Sequence, residues 1–289
     1  MAIKLYYSNS MKDLCVMLAG RAGKKSADPL DPVRVFVPNP YVRDWVQMNL
    51  ARANGVAANI DYNLLDDGLW KIIRASRARQ GSCPGIAGER EIRLLVYREL
   101  ARNGAAYGPF ASYLGGAGGA DREKKAWQLA DRLAGLFMSY EMRRQDMIAE
   151  WNAGRLVFGA DMERAQRELY LAVLGKEGLC ARMLGALTLA GHARETDIAA
   201  AGLGLPDLHF FCESGLSPFH CGVIFELGRT ADVHIYQVNP CAEFWDDMET
   251  AAEERWKKVK SVKIAENGEG EFLDPGTDEN RLLQLWGRA

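Results

Sequence analysis

The feature that most narrows the possible folds is where strand patterning occurs. Strand-like runs fall only towards the two ends of the chain, and a stretch of about 130 residues between them carries helical patterning alone. IKLYYSN (Ile3 to Asn9) and VRVFVP (Val33 to Pro38) are rich in β-branched and aromatic residues and end in turn formers. Ser10 to about Ala19 reads as one helix between them, with Leu14, Met17 and Leu18 on its apolar side. Strand, helix, strand predicts a parallel βαβ unit. YVRDWVQMNLARANG follows as a helix whose stripe is Val42, Trp45, Val46, Met48 and Leu50, ending at Asn54-Gly55.

From about Asp66 the pattern changes. DDGLWKIIRASRAR, EREIRLLVYRELARNG and DREKKAWQLADRLAGLFMSYEMRRQDMIAEW each read as one helix, with no convincing strand before Leu208. The third has Asp121 as its expected N-cap, and Trp127, Ala130, Ala134 and Phe137 at helical spacing. DMERAQRELYLAVLG, LCARMLGALTLAG and ETDIAAAGL extend the helical block. Strands return with LHFFC (Leu208 to Cys212) and DVHIYQVNP (Asp232 to Pro240), joined by a helix that Pro218 opens and Leu227-Gly228 closes. The expected fold class is α/β: a parallel sheet domain formed by residues 1–66 and 204–289, interrupted by a large helical insertion over 67–203.

MLAGRAGKKSADP (Met17 to Pro29) tempts a phosphate-loop reading through Lys25-Ser26. Ala19 and Lys24 stand where the two glycines belong, and a helix precedes the loop instead of a strand. A helix C-terminus near Gly20 is the better account. Gly115, Gly116, Gly118 and Gly119 lack a preceding strand too and read as an inter-helix loop.

The net charge of −2 carries no global basic excess, although a local groove can be basic inside a neutral protein. The six cysteines have no CxxC spacing, so reduced cytoplasmic thiols are expected. No run approaches the 18 apolar residues of a membrane span, and no membrane partner is expected. His209, His220 and His234 lie near Cys212 and Cys221 without zinc spacing, which favours core or strand-end roles over a metal site. Ser214 lacks the glycines of a nucleophile elbow, and Glu213 lacks an acidic neighbour. The pairs Asp66-Asp67, Asp246-Asp247 and Glu253-Glu254 read as caps or solvated faces, because adjacent helical residues do not face one another.

Tyr62 and Trp70 flank NLLDDGL, with Lys71, Arg74, Arg77 and Arg79 directly after. Two readings stand. Aromatic platforms beside a basic helix face suit single-stranded nucleic acid, whose bases stack and whose phosphates need cations. A tryptophan packed into a core, on a helix with a basic outer face, is the commoner arrangement and is favoured by composition.

Several segments together resemble the N-terminal part of the RecC family, the gamma subunit of exodeoxyribonuclease V: YYSNSMKDL, DWVQMNLARANGVAANIDYNL with the LW at Trp70, WNAGRL at Trp151, HFFCESGLSPFH at His209, VHIYQVNPCAEFWDD at Val233 and LLQLWGR near the end. The resemblance covers nearly the whole chain, and family members are several times longer. It implies a RecA-like, superfamily 1 helicase 1A-type sheet domain with a 1B-type helical insertion. It also implies that ATP hydrolysis is lost here: Ser8 to Lys12, where a working helicase carries its phosphate glycines, has none. No cofactor is then expected in this chain, with ATP and magnesium in RecB-like and RecD-like partner subunits, and with single-stranded and duplex DNA as ligands. Positions matching Leu64, Trp70 and Leu136 line the family's path for the recombination hotspot Chi. Pro38, Pro40 and Asp44 stand where well-known members carry glutamine, threonine and glutamine, and Gly135 and Met138 replace acidic residues. A proline side chain neither donates nor accepts a hydrogen bond. Either a different sequence is read, or the strand is only guided. The competing readings are an active or AddB-type helicase or nuclease subunit, which needs a phosphate loop or an iron–sulfur cysteine cluster, and a stand-alone nucleotide-binding protein.

Overall fold

A computed structural model describes residues 2–22, 31–79, 81, 85–115, 119–198, 205, 207–212 and 216–239. In chain order the elements are β1 (Ile3–Ser8), α1 (Met11–Ala22), β2 (Val33–Val37), α2 (Pro40–Asn54), β3 (Ile60–Leu64), α3 (Leu65–Arg79), β4 (Gly85–Ile86), α4 (Glu89–Asn103), α5 (Gly108–Leu114), α6 (Gly119–Arg143), α7 (Gln145–Asn152), α8 (Asp161–Leu174), β5 (Ala186–Leu187), α9 (Leu189–Glu195), β6 (Leu208–Phe211), α10 (Pro218–Leu227) and β7 (Val233–Val238). The fold is α/β. Five strands form one sheet in the order β1-β7-β6-β2-β3, while β4 and β5 make a small parallel pair of their own.

The sheet is parallel where β2 pairs β3 (Val35 with Tyr62, Val37 with Leu64), where β2 pairs β6 (Phe36 with Phe210), and where β6 pairs β7 (His209 with His234). β1 and β2 belong to the same sheet without touching, because β7 and β6 lie between them. Alternation divides the side chains between two faces. Phe36, Leu208, Phe210 and Val233 pack with Leu69, Ile72 and Ile73 of α3, with α9, and with Phe219, Ile224 and Leu227 of α10. Val35, Val37, Phe211 and Tyr236 are buried on the other face, as are Leu14 and Leu18 of α1 and Val46 and Leu50 of α2. A separate core lies within the helical stretch, built from α4 to α8 around Phe137, Trp151, Leu169 and Tyr170.

The chain divides into two compact units. The first, Met1–Tyr6 with Lys12–Gln237, holds both cores. The second is Tyr7–Met11 with Val238–Ala289; within it Asn239 N–H donates to Ser8 O at 3.0 Å and Ser10 N–H to Ser8 Oγ at 3.1 Å.

Several sequence expectations need correction. α1 runs through Gly20 to Ala22, so Gly20 is no cap; Lys24, Lys25 and Ser26 lie outside the described residues. Met48 is exposed, since the buried stripe of α2 narrows to Val46 and Leu50. IDYNL forms a strand, β3, that its short polar-interrupted pattern hid. Asp121 sits inside the first turn of α6 and does not cap it. Trp127 is exposed and meets Tyr97 edge-on, ring centroids 5.5 Å apart, leaving Ala130, Ala134 and Phe137 as the buried line. The long third helix breaks at Arg144 into α6 and α7. LCARMLGALTLAG is not one helix: a π-helical turn over Cys180–Leu184 ends at Gly185 in the left-handed region (φ 56°), followed by β5 and α9. Thr196 and Asp197 lie outside any helix, and the rest of ETDIAAAGL is undescribed beyond Ile198. Gly116, Gly118, Glu213, Ser214 and the acidic pairs at 246–247 and 253–254 also lie outside the described residues.

Candidate nucleic-acid interface

β2, β3 and β6 end level with one another, and a helix starts just beyond each. The carboxyl edge of a parallel sheet is where such folds place ligands, because helix N-termini converge there with free backbone N–H groups. At β2 the chain turns through Pro38, Asn39 caps α2 by accepting from Val42 N–H at 3.0 Å, and Pro40 takes the first helical position. Pro40 is exposed; Asp44, one turn on, is exposed and paired with Arg43 Nε at 2.9 Å. Leu64, the last residue of β3 and the register partner of Val37, is 38% exposed at the same edge. Four of the six sequence-predicted residues thus share one rim: Pro38, Pro40, Asp44 and Leu64.

The third helix start reinforces that rim. Ser217 caps α10, its Oγ accepting from His220 N–H at 3.3 Å, while Ser217 N–H donates to His220 Nδ1 at 3.2 Å. With Nδ1 an acceptor, Nε2 carries the proton and donates to Asp66 Oδ1 at 2.8 Å. His220 therefore ties α10 to the first turn of α3. No sequence reading assigned it this role; the available signal was Ser217-Pro218 at a helix start, with the histidine three residues after the cap.

Trp70 and Leu136 lie elsewhere. Trp70 is half-buried, packed on the sheet core, its ring 4.8 Å from that of His192 on α9. Burial lowers the His192 pKa, so a neutral imidazole faces the indole. Leu136 and Met138 pack against the helical core, and Gly135, just before Leu136, is half-buried. Tyr62 and Trp70 make no joint platform. Tyr62 pairs in register with Val35, whose parity puts it on the α1 face, whereas Trp70 belongs to the α3 face. Burial pushes the Tyr62 phenol up to about 12, and its hydroxyl has no hydrogen-bond partner among the described residues.

The basic face of α3 is partly neutralised. Lys71 Nζ meets Asn63 Oδ1 at 2.5 Å and Asp61 Oδ1 at 3.6 Å, and Arg77 Nη1 meets Glu195 Oε2 at 3.4 Å; Arg74 is exposed. His209 and His234 are core residues, their rings stacked at 4.9 Å and bonded to Tyr236 and Tyr6 hydroxyls at 3.2 Å each. Among the described residues no three His, Cys, Asp or Glu gather as a metal ion needs, and no helix is long and apolar enough to cross a membrane.

The family described as RecC, N-terminal domain, matches residues 3–289. The chain belongs to the RecC N-terminal domain family. The RecBCD enzyme subunit RecC of Escherichia coli (strain K12) is 26% identical over 319 residues, covering 99% of this chain and 27% of that protein. The same-named subunit of Haemophilus influenzae is 22% identical over 313 residues, covering 97% of this chain and again 27% of the relative. The chain thus spans about a quarter of the length of these RecC relatives. Against the RecC family, the structure adds a specific rim: the ends of β2 and β3, braced by the His220–Asp66 link.

Proposed function

We propose that this chain is the helicase-like N-terminal region of a RecC-type subunit of an ATP-dependent helicase–nuclease acting in double-strand-break repair and recombination. Its own role is non-catalytic: it receives single-stranded DNA at the rim of β2 and β3 and guides it, while RecB-like and RecD-like subunits supply ATP, magnesium and nuclease chemistry in the cytoplasm. The observation that carries this reading is the gathering of Pro38, Pro40, Asp44 and Leu64 on one carboxyl edge, because these are four of the six positions the family resemblance assigns to the strand path. The rim is apolar and acidic, which suits bases rather than phosphates, with cations lying further along α3. Pro38 and Pro40 offer no side-chain hydrogen bond, so any reading of a Chi-like sequence at these positions differs from the family's glutamine and threonine pattern.

A RecA-like 1A domain interrupted by a 1B-type helical insertion is the matching domain proposal. Two separate cores and a run between β3 and β6 that is helical apart from the two-residue strands β4 and β5 support it. Because Leu69, Ile72 and Ile73 pack with the sheet, α3 belongs with the 1A part, moving the seam from residue 66 to the end of α3.

The test is single-strand binding by the chain assembled with its partner subunits. Leu64→Asp is expected to weaken binding about tenfold or more, on the scale of 1–3 kcal/mol per base contact. Unchanged binding in Leu64→Asp would sink the reading.

A further inference from the structure

A cleft of about 260 Å³ opens between the edge strand β3 and α3, lined by Arg34, Asp61, Asn63, Lys71 and Arg79 over the ring of Phe36. It does not involve the rim described above. Arg34 and Asp61 are register partners on adjacent strands, as are Phe36 and Asn63, so alternate residues of β2 and β3 rise on the side that α3 covers. Asn63 is fixed at the cleft wall: its Nδ2 donates to Asp61 O at 3.2 Å and its Oδ1 accepts from Lys71 Nζ. The Asp61 carboxylate lies 3.6 Å from Lys71, whereas Arg34 has no hydrogen-bond or ion-pair partner among the described residues.

Three cationic side chains therefore line a half-buried cleft whose described lining holds one carboxylate. Like charges held together in a cleft repel one another and focus a positive potential into it, and an entering anion relieves both effects. A guanidinium fork beside an ammonium point charge matches the oxygens of a phosphoryl group. The volume of about 260 Å³ is ample for a phosphate group. We propose that this cleft binds a phosphoryl oxyanion, with Arg34 as the forked donor and Lys71 as the second cation.

The oxyanion has two possible sources, free phosphate and the backbone of a single strand, and two titrations of the full chain separate them. Inorganic phosphate is titrated by calorimetry, and an unphosphorylated oligothymidylate of about 12 nucleotides, within the usual site size, by fluorescence anisotropy. Arg34→Ala and Lys71→Ala are each expected to lower affinity at least fivefold, with Arg102→Ala, exposed on α4 and outside the cleft lining, as the control. Loss in the phosphate titration assigns the free anion; loss confined to the oligonucleotide assigns the strand backbone. Lys71→Ala removes an exposed side chain and keeps the test valid where Arg34→Ala perturbs folding. The proposal is overturned by a wild-type chain that binds neither ligand, by variants that bind as wild type does, or by an equal loss in Arg102→Ala.

Discussion

His220 Nε2 donates to Asp66 Oδ1 across 2.8 Å, joining the first turns of α10 and α3, which lie 154 residues apart in the chain. The imidazole is largely buried and the carboxylate mostly exposed, so the bond is worth about 0.5–1.5 kcal/mol. His220→Ala loses this bond and half of the α10 capping box, for about 1–2 kcal/mol in total, whereas Asp66→Ala loses the bond alone. Urea unfolding of both single variants and the double variant checks this. The double variant should be no less stable than His220→Ala by more than a few tenths of a kcal/mol, because the shared bond can be lost only once.

Gly68 permits α3 to approach the sheet. A Cβ there would meet the Phe36 ring at Cε1, would stand 2.9 Å from its Cδ1, and would lie 2.8 Å from Asn63 Cβ. Phe36 has little room to retreat, since its ring stacks on Phe210 with centroids 4.3 Å apart. Gly68→Ala is therefore expected to destabilise by about 1–3 kcal/mol, in spite of alanine's better helix propensity. Thermal unfolding measures it, and an unchanged or raised midpoint would refute the packing argument.

Glu141 on α6 is buried, and it accepts from Tyr170 Oη at 2.5 Å and from Arg194 Nη1 at 2.6 Å. These bonds join helices of the helical core to α9, which packs on the sheet core. Glu141→Ala leaves a phenol and a guanidinium without their acceptor, at a cost of about 3 kcal/mol, the low end for a broken buried pair because Arg194 is partly exposed. The unfolding midpoint should fall by roughly 6–12 °C for a chain of this size.

Acid should weaken the fold through the stacked histidines. Burial, with the neighbouring His234 and Arg21 charges, lowers the His209 pKa to about 3, and burial lowers that of His234. The unfolded chain takes up these protons near pH 6.5 while the folded chain resists them, so stability rises with pH between about 3 and 6.5. One such histidine contributes a slope of about 1.4 kcal/mol per pH unit within that window. His209→Gln should flatten the dependence of the urea midpoint on pH between 6.5 and 5, and an equally steep profile would contradict the assignment.

Much of this architecture was legible from residue patterns, and the exceptions have physical causes. β1, β2, β6 and β7 announce themselves through β-branched and aromatic runs, α2 through its apolar stripe and Asn54-Gly55 end, and α10 through Pro218 at its start. β3 was hidden because an edge strand of five residues that includes Asp61 and Asn63 has no apolar run. The break at Arg144 carries no proline or glycine. It follows from packing: Met142 reaches the sheet core while Met147, Ile148 and Trp151 fill the helical core, and one straight helix cannot serve both. The α/β ordering came from periodicity, whereas the rim positions came only through family resemblance. Val37, the residue before Pro38, and Leu64 meet through strand register, and Asp66 and His220 through tertiary contact, which no local pattern encodes.

A photo-crosslinking amino acid at position 64, in the chain assembled with its partner subunits and loaded with single-stranded DNA, tests the strand-guiding role most directly. The account predicts crosslinks from residue 64 to the DNA strand, and none from an exposed control site at Glu168 on α8. An assembled, DNA-loaded complex that yields no crosslink to DNA from residue 64 would contradict it.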